Sequence, residues 1–213
     1  MRLLFLVDAL NLYYGVRSAS PKRRTLLWLD LHKLCRAIGE RVHPGAMGVE
    51  VHYFTAIPLH LAQKDAAKIE RHRDFIAALK TTGVHISEQS FAQKSDNTYA
   101  KIRGTEELSW VEKGTDVAIV STLFENAHRD TFDHAIIMSN DADYLPAIDT
   151  LRRMYPDKSV TFALTPAKGM VNRRLKAVPK AYHVSAADYA DCQLPEVVQV
   201  SRRRSITRPP AWR

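Results

Sequence analysis

In Arg2-Leu3-Leu4-Phe5-Leu6-Val7-Asp8 nothing polar follows the opening arginine until a carboxylate closes the apolar run. A strand with one wet face alternates apolar and polar residues, whereas a strand covered on both faces reads as a continuous apolar run. This stretch is therefore expected at the centre of a parallel sheet. Outward from it, helices and strands alternate. Asp30 can cap a helix carrying Leu31, Leu34, Cys35 and Ile38 on one stripe, with Gly39 as its stop. Residues 49–55 read as a strand, 61–82 as a long helix ended by Gly83, and 84–87 as another strand. A helical stripe at 116–127 precedes a strand at 134–139, a helix at 144–154 and a strand at 160–164. A basic helix at 170–177 and a short strand at 182–184 follow. The alternation predicts an α/β fold, a mostly parallel central sheet flanked by helices. Residues 90–110 are polar and irregular, as in a surface excursion. Residues 201–213, with Arg202-Arg203-Arg204 and Pro209-Pro210, are expected to be disordered in isolation. Residues 1–187 are thus read as one domain and 188–213 as a flexible basic tail.

Composition narrows the class. With 213 residues, 46% hydrophobic and 25% charged, the chain has the make-up of an ordinary soluble globular domain. No apolar run approaches the roughly 20 residues that span a bilayer. The first residues imitate a signal peptide, but Asp8 interrupts them and no small-residue cleavage site follows, so a cytoplasmic protein is expected. Cys35 and Cys192 have no partner at a zinc-like spacing, and Cys35 reads as a reduced core thiol. The nine histidines are scattered, without a pair at metal spacing, which sets zinc aside. Net charge is +8, and residues 168–213 hold ten Lys or Arg against three Asp or Glu, so nearly all the excess is C-terminal. That asymmetry points to a polyanionic partner.

The chemistry is expected where strands end, because open parallel sheets bind ligands outside their carboxyl ends. Asp8 and Asn11 follow the first strand; Asn140-Asp141-Ala142-Asp143 follow the strand at 134–139; Asp116 stands at a helix start. Each acid has a plainer role open to it. Asp8 can cap a turn, Thr115 or Asp116 can be a helix N-cap, and Asp143 can cap the helix beginning near Tyr144. Carboxylates brought together repel one another unless a cation offsets them or their pKa values rise. An all-oxygen set favours Mg²⁺ or Mn²⁺, ions that suit phosphodiester hydrolysis. Asn11, Ser139 and Asn140 are placed to orient these acids.

At the same residues the chain resembles the NYN domain, a branch of the PIN-like nucleases. Asp8-Ala9-Leu10-Asn11-Leu12-Tyr13-Tyr14-Gly15 is similar to that family's first turn, "DxxNLYYG". Lys113-Gly114-Thr115-Asp116-Val117-Ala118 is similar to "KGxDVA", and Ser139-Asn140-Asp141-Ala142-Asp143-Tyr144 to "SGDxDF". Ala9 and Asn140 stand where many members have Gly; neither change removes a carboxylate. The resemblance implies a PIN-like, Rossmannoid sheet and a metal-dependent endoribonuclease, with Asp8, Asp116, Asp141 and Asp143 as catalytic and metal-binding acids. RNA is then the expected partner; a homodimer is compatible, and no membrane partner is expected. Tyr13, Lys101, Arg103, Lys113, Arg173 and Arg174 are the residues expected to hold the strand. The main rival is a non-catalytic nucleic-acid binder that keeps the fold. Leu10 stands where a haloacid-dehalogenase-like phosphatase needs a second Asp, Thr165-Pro166 where a receiver needs Lys, and neither GxGxxG nor GxxxxGK[ST] occurs.

Overall fold

A computed structural model describes residues 1–20, 24–93, 110–166, 175 and 181–213. The first strand, β1 (Arg2–Asp8), is buried at every position but its first. Its side chains part to two cores. Leu3, Phe5 and Val7 join one cluster, Leu4 and Leu6 the other, which is why the run cannot alternate. On one side β1 pairs in parallel with β2 (Gly48–Ala56), and on the other with β5 (His134–Met138). β3 (His85–Gln93) continues the sheet beyond β2, and β4 (Trp110–Lys113) pairs antiparallel to it. Beyond β5 lie β6 (Ser159–Leu164) and β7 (Tyr182–His183), both parallel. The order is β4-β3-β2-β1-β5-β6-β7, a mostly parallel sheet as expected. Chain direction across the sheet reverses between β1 and β5, so the switch point lies there.

Helices cover both faces. On the Leu3, Phe5, Val7 side lie α1 (Ala9–Ala19), α2 (Leu31–Val42) and α3 (Ala66–Thr81). The opposite side packs α4 (Thr115–His128) and α5 (Leu145–Met154) through Ile119, Leu123, Ile148 and Leu151. Asp30 does cap α2, accepting from the Lys33 N–H at 2.9 Å. Gly39, expected as a stop, lies inside that helix; a Cβ there would come within 2.7 Å of Leu3 Cδ1. Its role is close approach of helix to sheet, not termination. The long helix expected from residue 61 begins later, at Ala66, because Asp65 caps it.

Two stretches depart from expectation. The excursion at 90–110 is partly strand: β3 runs on to Gln93, and Trp110–Lys113 returns along it. Alternation cannot reveal a four-residue edge strand whose partner lies a long interval before it in the chain. The end of the chain, expected as a flexible tail, forms α6 (Ala186–Asp191) and a hairpin of β8 (Val197–Ser201) and β9 (Arg204–Thr207). Val198 and Ile206 of the hairpin are buried in the main core, and the Trp212 ring sits 6.0 Å from Trp28 and 5.8 Å from Phe75. The arginine run masked four apolar anchors, Val198, Val200, Ile206 and Trp212. Cys35 and Cys192 are buried free thiols. Among the described residues no helix is long and apolar enough to cross a membrane. The basic helix expected at 170–177 lies outside the described residues apart from Leu175.

Candidate functional site

The ends of β1 and β5 meet at the switch point, and the side chains just past them are tied together. Asp8 caps α1: its Oδ1 accepts from the Asn11 N–H at 3.0 Å, and its Oδ2 from Asn11 Nδ2 at 2.6 Å. Asn11 Oδ1 accepts from the Asn140 N–H at 3.2 Å, which ties the end of β1 to that of β5. Asn140 also reaches β6. Its Nδ2 donates to Thr165 Oγ1 at 2.9 Å, and its Oδ1 accepts from the Thr165 N–H at 2.9 Å. Ser139 Oγ donates to Asp8 Oδ2 at 3.4 Å and accepts from the Asp141 N–H at 3.2 Å. Three strand ends are therefore held in one buried polar network, and such networks fix geometry when every member is satisfied.

Gly15 makes the network possible. A Cβ there would stand 2.4 Å from Thr165 Cβ and 2.7 Å from Thr165 Oγ1. Only the bare backbone lets α1 lie against the end of β6. In return Thr165 Oγ1 donates to the Asn11 carbonyl at 3.3 Å.

Around the network stand the acids. Asp8 is 5% exposed. Burial pushes its carboxyl above the ordinary value; the Asn11 hydrogen bonds oppose the shift and the Asp116 charge adds to it. Asp116, exposed in the first turn of α4, accepts from Tyr144 Oη at 2.6 Å. Burial raises the Tyr144 phenol, and Asp8, Asp116 and Asp141 raise it further. Asp8, Asp116 and Asp141 thus share one electrostatic neighbourhood. Asp143 is exposed, and its N–H donates to Asp141 Oδ1 at 2.9 Å, so its backbone orients Asp141. None of the expected capping roles at the later helices applies, since Gly114 is the N-cap of α4 and Tyr144 that of α5.

Glu112 of β4 joins this group unannounced by sequence. Its carboxyl is raised by burial, relieved by the Thr115 hydroxyl it accepts from, and raised again by Asp8 and Asp116. Its nearness to Lys113-Gly114-Thr115-Asp116 is a clue, but only the β3–β4 pairing turns it inward. Tyr144 and Thr165 escape sequence reasoning likewise, as an ordinary aromatic and a turn threonine. Tyr13 and Tyr14 are exposed past the first turn, at 40% and 45%, and Lys113 is exposed beside Gly114. Lys101, Arg103, Arg173 and Arg174 lie outside the described residues.

Local spacing offers no histidine pair as a metal ligand, but the fold brings two histidines together. The sheet brings His52 of β2 beside His85 of β3, with Glu50 two residues earlier on the same face. Among the described residues, these three offer ligand atoms within 4.8 Å of one another, whereas no three of the strand-end acids do. A set of this kind is capable of chelating a divalent metal. The strand-end acids are spread more widely.

A seven-stranded, mostly parallel sheet flanked by helices, with its switch point between β1 and β5, is the architecture of a PIN-like α/β protein. The NYN domain family model matches residues 2–186, and the chain belongs to that family, part of the PIN-like nuclease superfamily. Family membership supports a metal-dependent nuclease function on nucleic acid, and the Glu/His set shows separately that the chain can chelate a divalent ion. Among curated proteins, the chain is similar to 6-hydroxy-3-succinoylpyridine 3-monooxygenase HspA of Pseudomonas putida, 22% identical over all of this chain and 75% of that protein. Among solved structures it is similar to a Vibrio parahaemolyticus protein of unknown function, with a TM-score of 0.52 and 19% identity, covering 91% of this chain and 96% of that one. The second likeness speaks to fold alone.

Proposed function

We propose that the chain hydrolyses phosphodiester bonds in RNA as an endoribonuclease, with Mg²⁺ or Mn²⁺ held by Asp8, Asp116 and Asp141 and assisted by Asp143. The observation that carries this reading is Asp8: a buried carboxyl at a strand end, raised by burial and by Asp116. A cation offsets such a charge more fully than neutral hydrogen-bond donors do, and an all-oxygen donor set fits a hard ion. When bound, that ion would supply Lewis acidity to the phosphoryl group and to the attacking water. The chain's own residues do the positioning. Asn11 and Ser139 aim Asp8, the Tyr144 hydroxyl aims Asp116, and the Ser139 hydroxyl and Asp143 N–H aim Asp141. Glu112, raised by its surroundings, is suited to hold and pass a proton at the rim. Tyr13 is exposed to stack a base, and Lys113, with Lys101, Arg103, Arg173 and Arg174, supplies phosphate contacts. A cytoplasmic location completes the proposal, with which a homodimer is compatible.

The test is incubation with single- and double-stranded RNA and DNA, with and without Mn²⁺, beside Asp141→Asn. Metal-dependent cleavage of RNA that the variant abolishes is expected; the variant should still fold, because Asn keeps the Oδ1 acceptor for the Asp143 N–H. Binding without cleavage in the wild type would favour the non-catalytic reading. A second reading comes from the pyridine monooxygenase, because that match spans the whole chain. A cavity of about 490 Å³, with Tyr13, Arg17, Lys68, Arg71 and Glu112 among its walls, has the aromatic and cationic groups a heteroaromatic carboxylate would need. Turnover of a succinoylpyridine with dioxygen and a reductant, and no cleavage of any nucleic acid, would replace the nuclease reading.

A further inference from the structure

We propose that Glu50, His52 and His85 form a second metal site, distinct from the strand-end acids, built for Zn²⁺ or a similar borderline ion. This site stands apart from the nuclease reading. Alternation along β2 puts Glu50 and His52 on one face. The register shows which face. Glu50 pairs with Leu4 and His52 with Leu6, both of which belong to the core under α4 and α5. Parallel pairing of His52 with His85 then places the second imidazole alongside. The two rings lie 4.7 Å apart at 20°, and His52 Nε2 is 2.6 Å from Glu50 Oε1. All three ligand atoms fall within 4.8 Å of one another, so small rotamer changes suffice to close on one ion.

Donor chemistry selects the ion. Two imidazoles and a carboxylate suit Zn²⁺ and its neighbours, whereas Mg²⁺ favours oxygen alone. Three protein ligands leave a fourth position open to water, and His85 is exposed, which gives solvent a route to it. The ligands sit on two hydrogen-bonded strands, so the site is held by sheet geometry and not by a loop.

Separation from the strand-end acids follows from the same register. Asp8 pairs with Phe54, two residues past His52, or about 7 Å along the strand at ~3.3 Å per residue. Phe54 is four residues from Glu50, about 13 Å along the strand, and the Asp8 carboxylate is not in the set whose ligand atoms lie within 4.8 Å of one another, so the two sets are separate. Phe54, fully buried and stacked 6.3 Å from His52, is the residue paired with Asp8, so an apolar side chain follows His52 on this face. A metal here would clamp β2 to β3, and β3 carries the β4 strand that presents Glu112.

The full-length protein, stripped with a chelator, is titrated with Zn²⁺ and separately with Mg²⁺, following metal content and melting temperature; Co²⁺ serves as a spectroscopic probe. One Zn²⁺ per chain is expected, with a raised melting temperature and a Co²⁺ spectrum showing nitrogen ligands at low coordination number. His85→Ala, at an exposed position, and Glu50→Gln should each weaken Zn²⁺ binding by at least the roughly 10- to 100-fold that loss of a mere supporting partner costs. Asp141→Asn should leave Zn²⁺ binding unchanged, and His85→Ala should keep any Mn²⁺-dependent cleavage. Equal Zn²⁺ affinity in wild type and His85→Ala, or loss of Zn²⁺ binding in Asp141→Asn, would overturn the assignment. If no nuclease activity is found in any protein, the Zn²⁺ titrations still decide the matter.

Discussion

Asp8 shows how a single residue couples stability to its site. Its carboxyl is raised by burial first and by the Asp116 charge as well, and Glu112 is raised by burial in the same direction. Between the unfolded value and the raised one, the folded chain holds more protons than the unfolded chain. Stability from these groups is therefore full below that window and falls as pH rises through it. Asp133 has the opposite sign. Its hydrogen bonds from Arg2 push it down to about 2, so its contribution is lost as pH falls from near 4 towards that value. Melting temperature of the chelator-treated protein should accordingly decline as pH rises from about 4 through the raised values. Asp8→Asn should flatten that decline, and added Mg²⁺ or Mn²⁺ should oppose it by binding the ionised form. A decline of equal slope in Asp8→Asn would show that other groups cause it.

At the scale of elements, one junction positions the site and another closes the core. The first is α1 against the end of β6, where Gly15 leaves no room for a side chain. Gly15→Ala must push Thr165 away, at a cost of about 1–3 kcal/mol typical of overpacking. Because Thr165 also holds Asn140, activity should fall more than stability alone accounts for. A denaturant midpoint equal to that of wild type would contradict the tight packing. The second junction is the C-terminal hairpin, whose Val198 and Ile206 enter the core while Trp212 caps Trp28 and Phe75. Trp212→Ala should destabilise by ~2 kcal/mol, less than a fully buried tryptophan costs. A flexible tail would give no change.

For the whole molecule, the charge distribution decides how a polyanion is met. The net +8 resides mainly in residues 168–213, yet several of those arginines are already engaged. Arg204 bonds Asp74, Arg208 bonds the Thr25 carbonyl, and Arg213 pairs with Glu196. Arg202 and Arg203, exposed at the hairpin turn, remain suited to phosphate. Their joint change to Ala should weaken RNA binding and shrink the slope of log affinity against log salt by about one for each phosphate no longer neutralised. An unchanged slope would mean that other side chains meet the phosphates. Truncating the hairpin is a poor substitute for these variants, because it opens the core.

The sequence by itself determined the class: a doubly buried β1, alternating helices and strands, and three motifs whose acids all stand at strand ends or helix starts. These signals are local, set by periodicities of 2.0 and 3.6 residues and by capping chemistry, so they survive without a partner in view. Asp8, Asn11, Asp116 and Asp141 were legible for that reason. Tertiary structure alone decided the rest. Glu112 enters the acid group through an edge strand whose partner ends well before it in the chain. His85 meets His52 only because β3 pairs with β2 in one register, and a slip by one residue would turn it to the opposite face. The arginine-rich end became a packed hairpin because Val198, Ile206 and Trp212 found apolar surface on distant elements. Such packing depends on which surfaces the folded chain brings together, and spacing along the sequence carries no record of that.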